Sequence, residues 1–112
     1  GICLGLQAIA EVFGGELYNL TRPVHGRATE IAVIDDQERL FFNCPTNFNV
    51  GRYHSWAVRN DKVPEAIKVT ALDTEGVIMA LRHQTLDVRG VQFHPESVLT
   101  EHGKLLITNW LS

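Results

Sequence analysis

The chain opens on Gly1-Ile2-Cys3-Leu4-Gly5-Leu6-Gln7, a G-x-C-x-G string that constrains its fold more than any other feature of its 112 residues. This spacing marks a nucleophile elbow, a sharp strand-to-helix turn that lifts a reactive side chain above the end of a sheet. Glycines on both sides of Cys3 let the turn take tight dihedrals without a Cβ clash. Leu6, Ile9, Ala10 and Phe13 follow at three- and four-residue spacings, which predicts a helix over 4–13 ended by Gly14-Gly15. At the head of that helix the Cys3 thiol feels the positive end of the dipole, which favours thiolate. The Leu4 N–H is left free to face a developing oxyanion.

Near the other end stands Phe93-His94-Pro95-Glu96-Ser97. Residues two apart in an extended segment project to one side, and Pro95 discourages helix, so His94 and Glu96 are expected to lie together. The carboxylate would accept a hydrogen bond from one imidazole nitrogen and leave the other to exchange a proton with the Cys3 sulfur. Such a triad suits acyl transfer. The same H-x-E triplet occurs in zinc deaminases, but those need a downstream P-C-x-x-C, and the only other cysteine is Cys44, upstream. No metal or cofactor is therefore expected. His25, His54, His83 and His102 lack metal-ligand spacing and read as surface or structural residues. Cys44, followed by Pro45, reads as a loop or core thiol.

Between the two motifs the pattern is that of an α/β chain. Short strands are predicted at 16–19, 29–34, 48–52, 55–59, 67–72, 77–82 and 88–93, with a loop at Arg22-Pro23-Val24-His25-Gly26 and turns at Asp35-Asp36 and Asp73-Thr74-Glu75-Gly76. Residues 104–111 predict a closing apolar helix. The strand spacing suggests hairpins beside a parallel core.

The strings GICLGLQAIAEVFGG, GRYHSWAV and GVQFHPESVLTEHGKLLITNWL together resemble class I glutamine amidotransferases, and among them the glutaminase subunits of anthranilate and aminodeoxychorismate synthases. The resemblance covers essentially the whole chain. It implies a flavodoxin-like α/β sheet with helices and added hairpins, of which residues 1–112 would be the C-terminal part of a single domain, incomplete at its N-terminus. It also implies Cys3 as the nucleophile that attacks the side-chain amide of L-glutamine, His94 as base and acid, and Glu96 as the group that orients it. Leu4, Gln7, Ser55 and Trp56 would contact substrate, Leu4 and the 55–56 segment through the main chain. For His25 and His54 the resemblance implies places near substrate or an interface. Leu6 stands where many relatives carry histidine, a change expected to affect the helix surface, and Trp56 stands where many carry a smaller apolar residue. The implied partner is a chorismate-using synthase subunit. Two other functions remain open on the same residues, a γ-glutamyl hydrolase using the triad without a partner and a non-catalytic binding fragment.

Composition restricts other partners. The net charge is −3 and the ten basic residues are dispersed, so nucleic acid is not expected. No stretch has the apolar length of a membrane span. Two cysteines in unlike contexts suggest a reducing compartment, by default the cytoplasm. Loss of the strands that precede the elbow in the family would expose apolar surface and strand edges, so these residues alone are expected to self-associate.

Overall fold

A computed structural model describes all of residues 1–112. The elements run α1 (Leu4–Val12), β1 (Leu17–Val33), a 3-10 turn (Arg39–Phe41), β2 (Asn47–Val58), β3 (Ile67–Asp73), β4 (Ile78–His83), β5 (Arg89–Val91) and α2 (Gly103–Leu111). The strands form one sheet in the order β2-β1-β3-β4-β5. Every adjacent pair in it is antiparallel. The parallel component is a single bridge, Ile2 to Val91, at the edge beyond β5.

Each sheet face buries its own cluster. Ile31, Phe48, Val50, Ala71, Met79, Val91 and Phe93 pack with Leu106 of α2 and with Leu40 and Phe41 of the 3-10 turn. On the other side Val58, Ile67, Ile78 and Leu81 pack with Leu6 and Ala10 of α1. Residues 78–81 of β4 are all buried, as expected of a strand covered on both faces. Asn109 of α2 adds a polar clamp, its Nδ2 donating to the carbonyls of Leu40 and Phe42 at 2.8 and 2.9 Å.

Helix α1 ends at the expected glycines, with the Gly14 and Gly15 N–H groups donating to the Glu11 and Ala10 carbonyls. Leu6, expected to influence the helix surface, is instead wholly buried in the cluster beneath α1. The predicted loop at 22–26 is also corrected, because β1 runs continuously through it. Register shifts between Asn19 and Val24, and between His25 and Arg27, absorb Pro23 and Gly26. Only residues 31–33 of β1 pair with β3, so this stretch has one free edge, where proline removes no ladder bond. The strands expected at 48–52 and 55–59 likewise merge into β2.

The predicted turn at Asp35-Asp36 is held by charge. Asp35 accepts from the Gln37 N–H at 3.1 Å and from Arg82 Nε at 3.0 Å, with Lys68 Nζ at 3.5 Å. Glu38 accepts from the Leu40 N–H at 3.0 Å and Arg89 Nε at 3.1 Å. Burial pushes the Asp35 carboxyl up, but Arg82, the Gln37 N–H and Lys68 outweigh it and hold the group below its ordinary value of 3.8. Because the folded value is depressed, the stabilisation is whole above pH 3.8 and is lost as pH falls through the folded value. In the full polypeptide, Asp35→Asn should therefore lower the denaturant midpoint at neutral pH, with the difference from wild type shrinking in strong acid. A difference that does not depend on pH would contradict this account.

Candidate active site

Cys3 sits at the N-cap of α1 with φ 55° and ψ −102°, a left-handed φ on a residue that has a Cβ. Such conformations cost about 1–3 kcal/mol and persist only where surrounding bonds enforce them. Here the Cys3 N–H donates to the Val91 carbonyl at 2.8 Å, the Val91 N–H to the Gly1 carbonyl at 2.9 Å, and the Gly5 N–H to the Ile2 carbonyl at 2.9 Å. Gly1 is required by close approach, since a Cβ there would lie 2.5 Å from the Gly5 carbonyl carbon. A Cβ at Gly5 would meet nothing within 4 Å, so the expected steric need at this second glycine does not arise.

His94 is delivered by the segment after β5, which lies against β2. The His94 N–H donates to the Gly51 carbonyl at 3.0 Å, and the Gly51 N–H to Thr100 Oγ1 at 2.9 Å. Thr100 in turn donates to the His94 carbonyl at 2.6 Å. Gly51 permits the approach, because a Cβ there would stand 2.8 Å from Ser97 Oγ. The His94 ring meets the Tyr53 ring edge to face at 5.2 Å, and Tyr53 Oη lies 3.1 Å from Ser97 Oγ. His94 Nδ1 lies 2.8 Å from Glu96 Oε2. A carboxylate only accepts, so Nδ1 carries the proton and Nε2 is left as the accepting nitrogen of the ring.

Ile2, Cys3, Leu4, Gln7, His25, Tyr53, His54, Ser55, Trp56 and His94 line one cavity of about 490 Å³. All the sequence-derived candidates except Glu96 thus share a wall, and Glu96 stands behind His94. The sulfur's own hydrogen bonds run to the Tyr53 carbonyl, which accepts at 3.7 Å, and from Gln92 Nε2 at 3.6 Å. Burial pushes the Cys3 thiol above its ordinary value of 9.0, and the Glu96 charge adds to this; the Leu4 N–H and Gln92 pull the other way without cancelling it. The resting group is a thiol, so the expected thiolate at the helix head is corrected: desolvation outweighs the donors around it.

The Trp56 carbonyl organises the wall behind the cavity. It accepts from Gln7 Nε2 at 2.9 Å and from His54 Nδ1 at 2.8 Å. Arg52 Nε donates to His54 Nε2 at 3.0 Å, which fixes a neutral His54 with its proton on Nδ1. Burial lowers the His54 pKa, in keeping with that form. Arg52 also meets Asp73 at 2.8 Å, with both side chains almost wholly buried. Gln92 and the Arg52–Asp73 pair were not among the sequence candidates. Gln92 could have been found, since it lies two residues before His94 in the same extended run.

No group of three or more histidine, cysteine, aspartate or glutamate side chains is arranged to hold a metal. No helix is long and apolar enough to cross a membrane.

A cysteine on a strained turn into a helix thus shares one cavity with a carboxylate-paired histidine on an α/β fold. The family model for glutamine amidotransferase class-I matches residues 1–112, and the chain belongs to that family. It is 48% identical over 103 residues to an anthranilate synthase of Azospirillum brasilense, covering 92% of this chain and 14% of that one. It is 41% identical over 111 residues to aminodeoxychorismate/anthranilate synthase component 2 of Bacillus subtilis, covering 99% of this chain and 56% of that one. A solved structure from Thermoplasma acidophilum, named for a GMP synthase, matches with a TM-score of 0.89 at 28% identity, over 99% of this chain and 54% of that one. The chain thus spans little more than half of the Bacillus relative.

Two outcomes follow. Alkylation of Cys3 by iodoacetamide in the full polypeptide should keep accelerating beyond pH 9.0, whereas a rate already at its plateau near neutrality would mean a preformed thiolate. Arg52→Met strands the buried Asp73 and should cost about 3–5 kcal/mol in denaturant unfolding; a loss below about 1 kcal/mol, the level of a surface pair, would contradict the buried pairing.

Proposed function

We propose that the protein hydrolyses L-glutamine to glutamate and ammonia and hands the ammonia to a chorismate-using synthase subunit, for anthranilate or aminodeoxychorismate synthesis. The observation that carries this is the shared cavity, with the Cys3 sulfur and His94 on its wall beside Leu4, Gln7, Ser55 and Trp56. The names of the Azospirillum and Bacillus relatives support the partner class. Residues 1–112 are then the C-terminal part of one glutamine amidotransferase domain. Cys3 and Cys44 are both free thiols, which suits the reducing cytoplasm where we place the reaction.

In this reading the Cys3 thiol passes its proton to His94 Nε2 as the sulfur bonds to the amide carbon of glutamine. The carbonyl oxygen becomes an oxyanion, with the Leu4 N–H at the head of α1 as a donor toward it. The tetrahedral adduct collapses, the C–N bond breaks, and the proton on His94 leaves with ammonia. Water then gives a proton to His94 and its oxygen to the thioester carbon. The S–C bond breaks, its electron pair returns to sulfur with the proton from His94, and glutamate departs. Glu96 keeps Nδ1 protonated and steadies the imidazolium formed at each transfer. Its side chain is 60% exposed, so its contribution is screened and smaller than that of a buried carboxylate.

The test is glutamate release by the full polypeptide, with and without a chorismate-using synthase. Cys3→Ala should abolish release, Glu96→Gln should slow it by less than the roughly 10⁴-fold that a buried triad carboxylate supplies, and the synthase should stimulate it. Turnover that survives Cys3→Ala would remove the nucleophile assignment. Activity on γ-glutamyl peptides with no response to the synthase would replace the amidotransferase reading with a hydrolase.

A further inference from the structure

Gln92 takes no part in the triad, yet its side chain is wholly buried against the Cys3 sulfur, where an unpaired amide would be costly. Its orientation follows from its neighbours. The Trp56 carbonyl can only accept, so the Gln7 amide must turn Nε2 toward it. That same Nε2 lies 3.2 Å from the Gln92 amide, which must therefore present Oε1. The Gln92 nitrogen is left facing the Cys3 sulfur at 3.6 Å. The other partner of the Trp56 carbonyl is His54, whose tautomer is set by Arg52, itself fixed by Asp73 at 2.8 Å. Two arms thus meet at the Trp56 carbonyl, one from the buried Arg52–Asp73 pair through His54 and the other through Gln7 and Gln92 to the sulfur.

We propose that Gln92 is a further catalytic residue, which donates an amide N–H to the Cys3 sulfur and favours its charged form, and that Gln7, held by the Trp56 carbonyl, is the positioning residue that aims it. This rests on the reading of Cys3 as the nucleophile. A hydrogen bond strengthens when its acceptor becomes charged. Gln92 therefore holds the sulfur most tightly once the thiol proton has moved to His94, before the S–C bond forms, and again when that bond breaks and its electron pair returns to sulfur. In the thioester between these steps the sulfur is a weak acceptor, so the contact favours the two states that bracket it. Gln7 also changes role. Both of its amide hydrogens are committed to Trp56 and Gln92, and its Oε1 is the atom left for substrate. The other titratable groups on the cavity wall, His25, Tyr53, His54 and His94, and the Glu96 charge beyond it, are the same in every variant compared below.

Iodoacetamide labelling of Cys3 in the full polypeptide, followed on the Cys3 peptide by mass spectrometry across pH, tests this without using turnover. Gln92→Met keeps the volume and removes the donor. Labelling at neutral pH should slow roughly tenfold, the weight of a hydrogen bond to a charged group, while the limiting rate in strong base stays that of wild type. Gln7→Met leaves the Gln92 amide in place but unaimed, and should slow neutral labelling less, by a few fold. It also decides the matter if Gln92→Met fails to fold. Wild-type pH dependence in a folded Gln92→Met variant, or in Gln7→Met if that alone folds, overturns the proposal. If labelling shifts as expected while Cys3→Ala still releases glutamate, the donor to sulfur stands and the glutaminase reading of the site falls.

Discussion

Two backbone hydrogen bonds carry the rest of the site: Cys3 N–H to the Val91 carbonyl and Val91 N–H to the Gly1 carbonyl. They make the single parallel bridge of the structure, between Ile2 and Val91. Val91 ends β5, and His94 stands three residues further on. The bridge therefore places the cysteine turn against the strand that leads to the histidine, and holds Cys3 in a left-handed conformation that it would not keep alone. Residues separated by most of the chain are brought to one cavity by contacts that involve no side-chain chemistry.

The second constraint is the Trp56 carbonyl. Gln7 of α1 and His54 of β2 both donate to it, so the helix headed by Cys3 is tied to the strand that carries Trp56. Because a carbonyl can only accept, this one atom determines the orientation of two amides and, with Arg52, the tautomer of a histidine. The electrostatics are correspondingly specific. Burial raises the Cys3 thiol above its ordinary value, and the Leu4 N–H and Gln92 pull the other way without cancelling it.

Much of this was legible in the sequence, where the signal is local. The helix after Cys3 follows from three- and four-residue spacing, and the adjacency of His94 and Glu96 from a period of two. Pro23 and Gly26 misled because breaker signals are local too, whereas a strand with a free edge and two register shifts accommodates both. Leu6 falls on the spacing that predicted the apolar face of the helix and is buried there; only its standing in place of a family histidine pointed to the surface. Arg52 and Asp73 lie 21 residues apart, and only the register of three strands brings them together. Gln92 was one step back along the period that joined His94 to Glu96.

If Cys3, held on its turn, is the nucleophile, it becomes covalently linked to substrate. The most direct measurement is acid quenching of the full polypeptide during turnover with glutamine, followed by peptide mass analysis. A γ-glutamyl adduct is expected on the peptide that contains Cys3, released on further incubation with water and missing from Cys3→Ala. Steady glutamate release with no adduct on that peptide at any quench time, together with an adduct elsewhere or none, would contradict it.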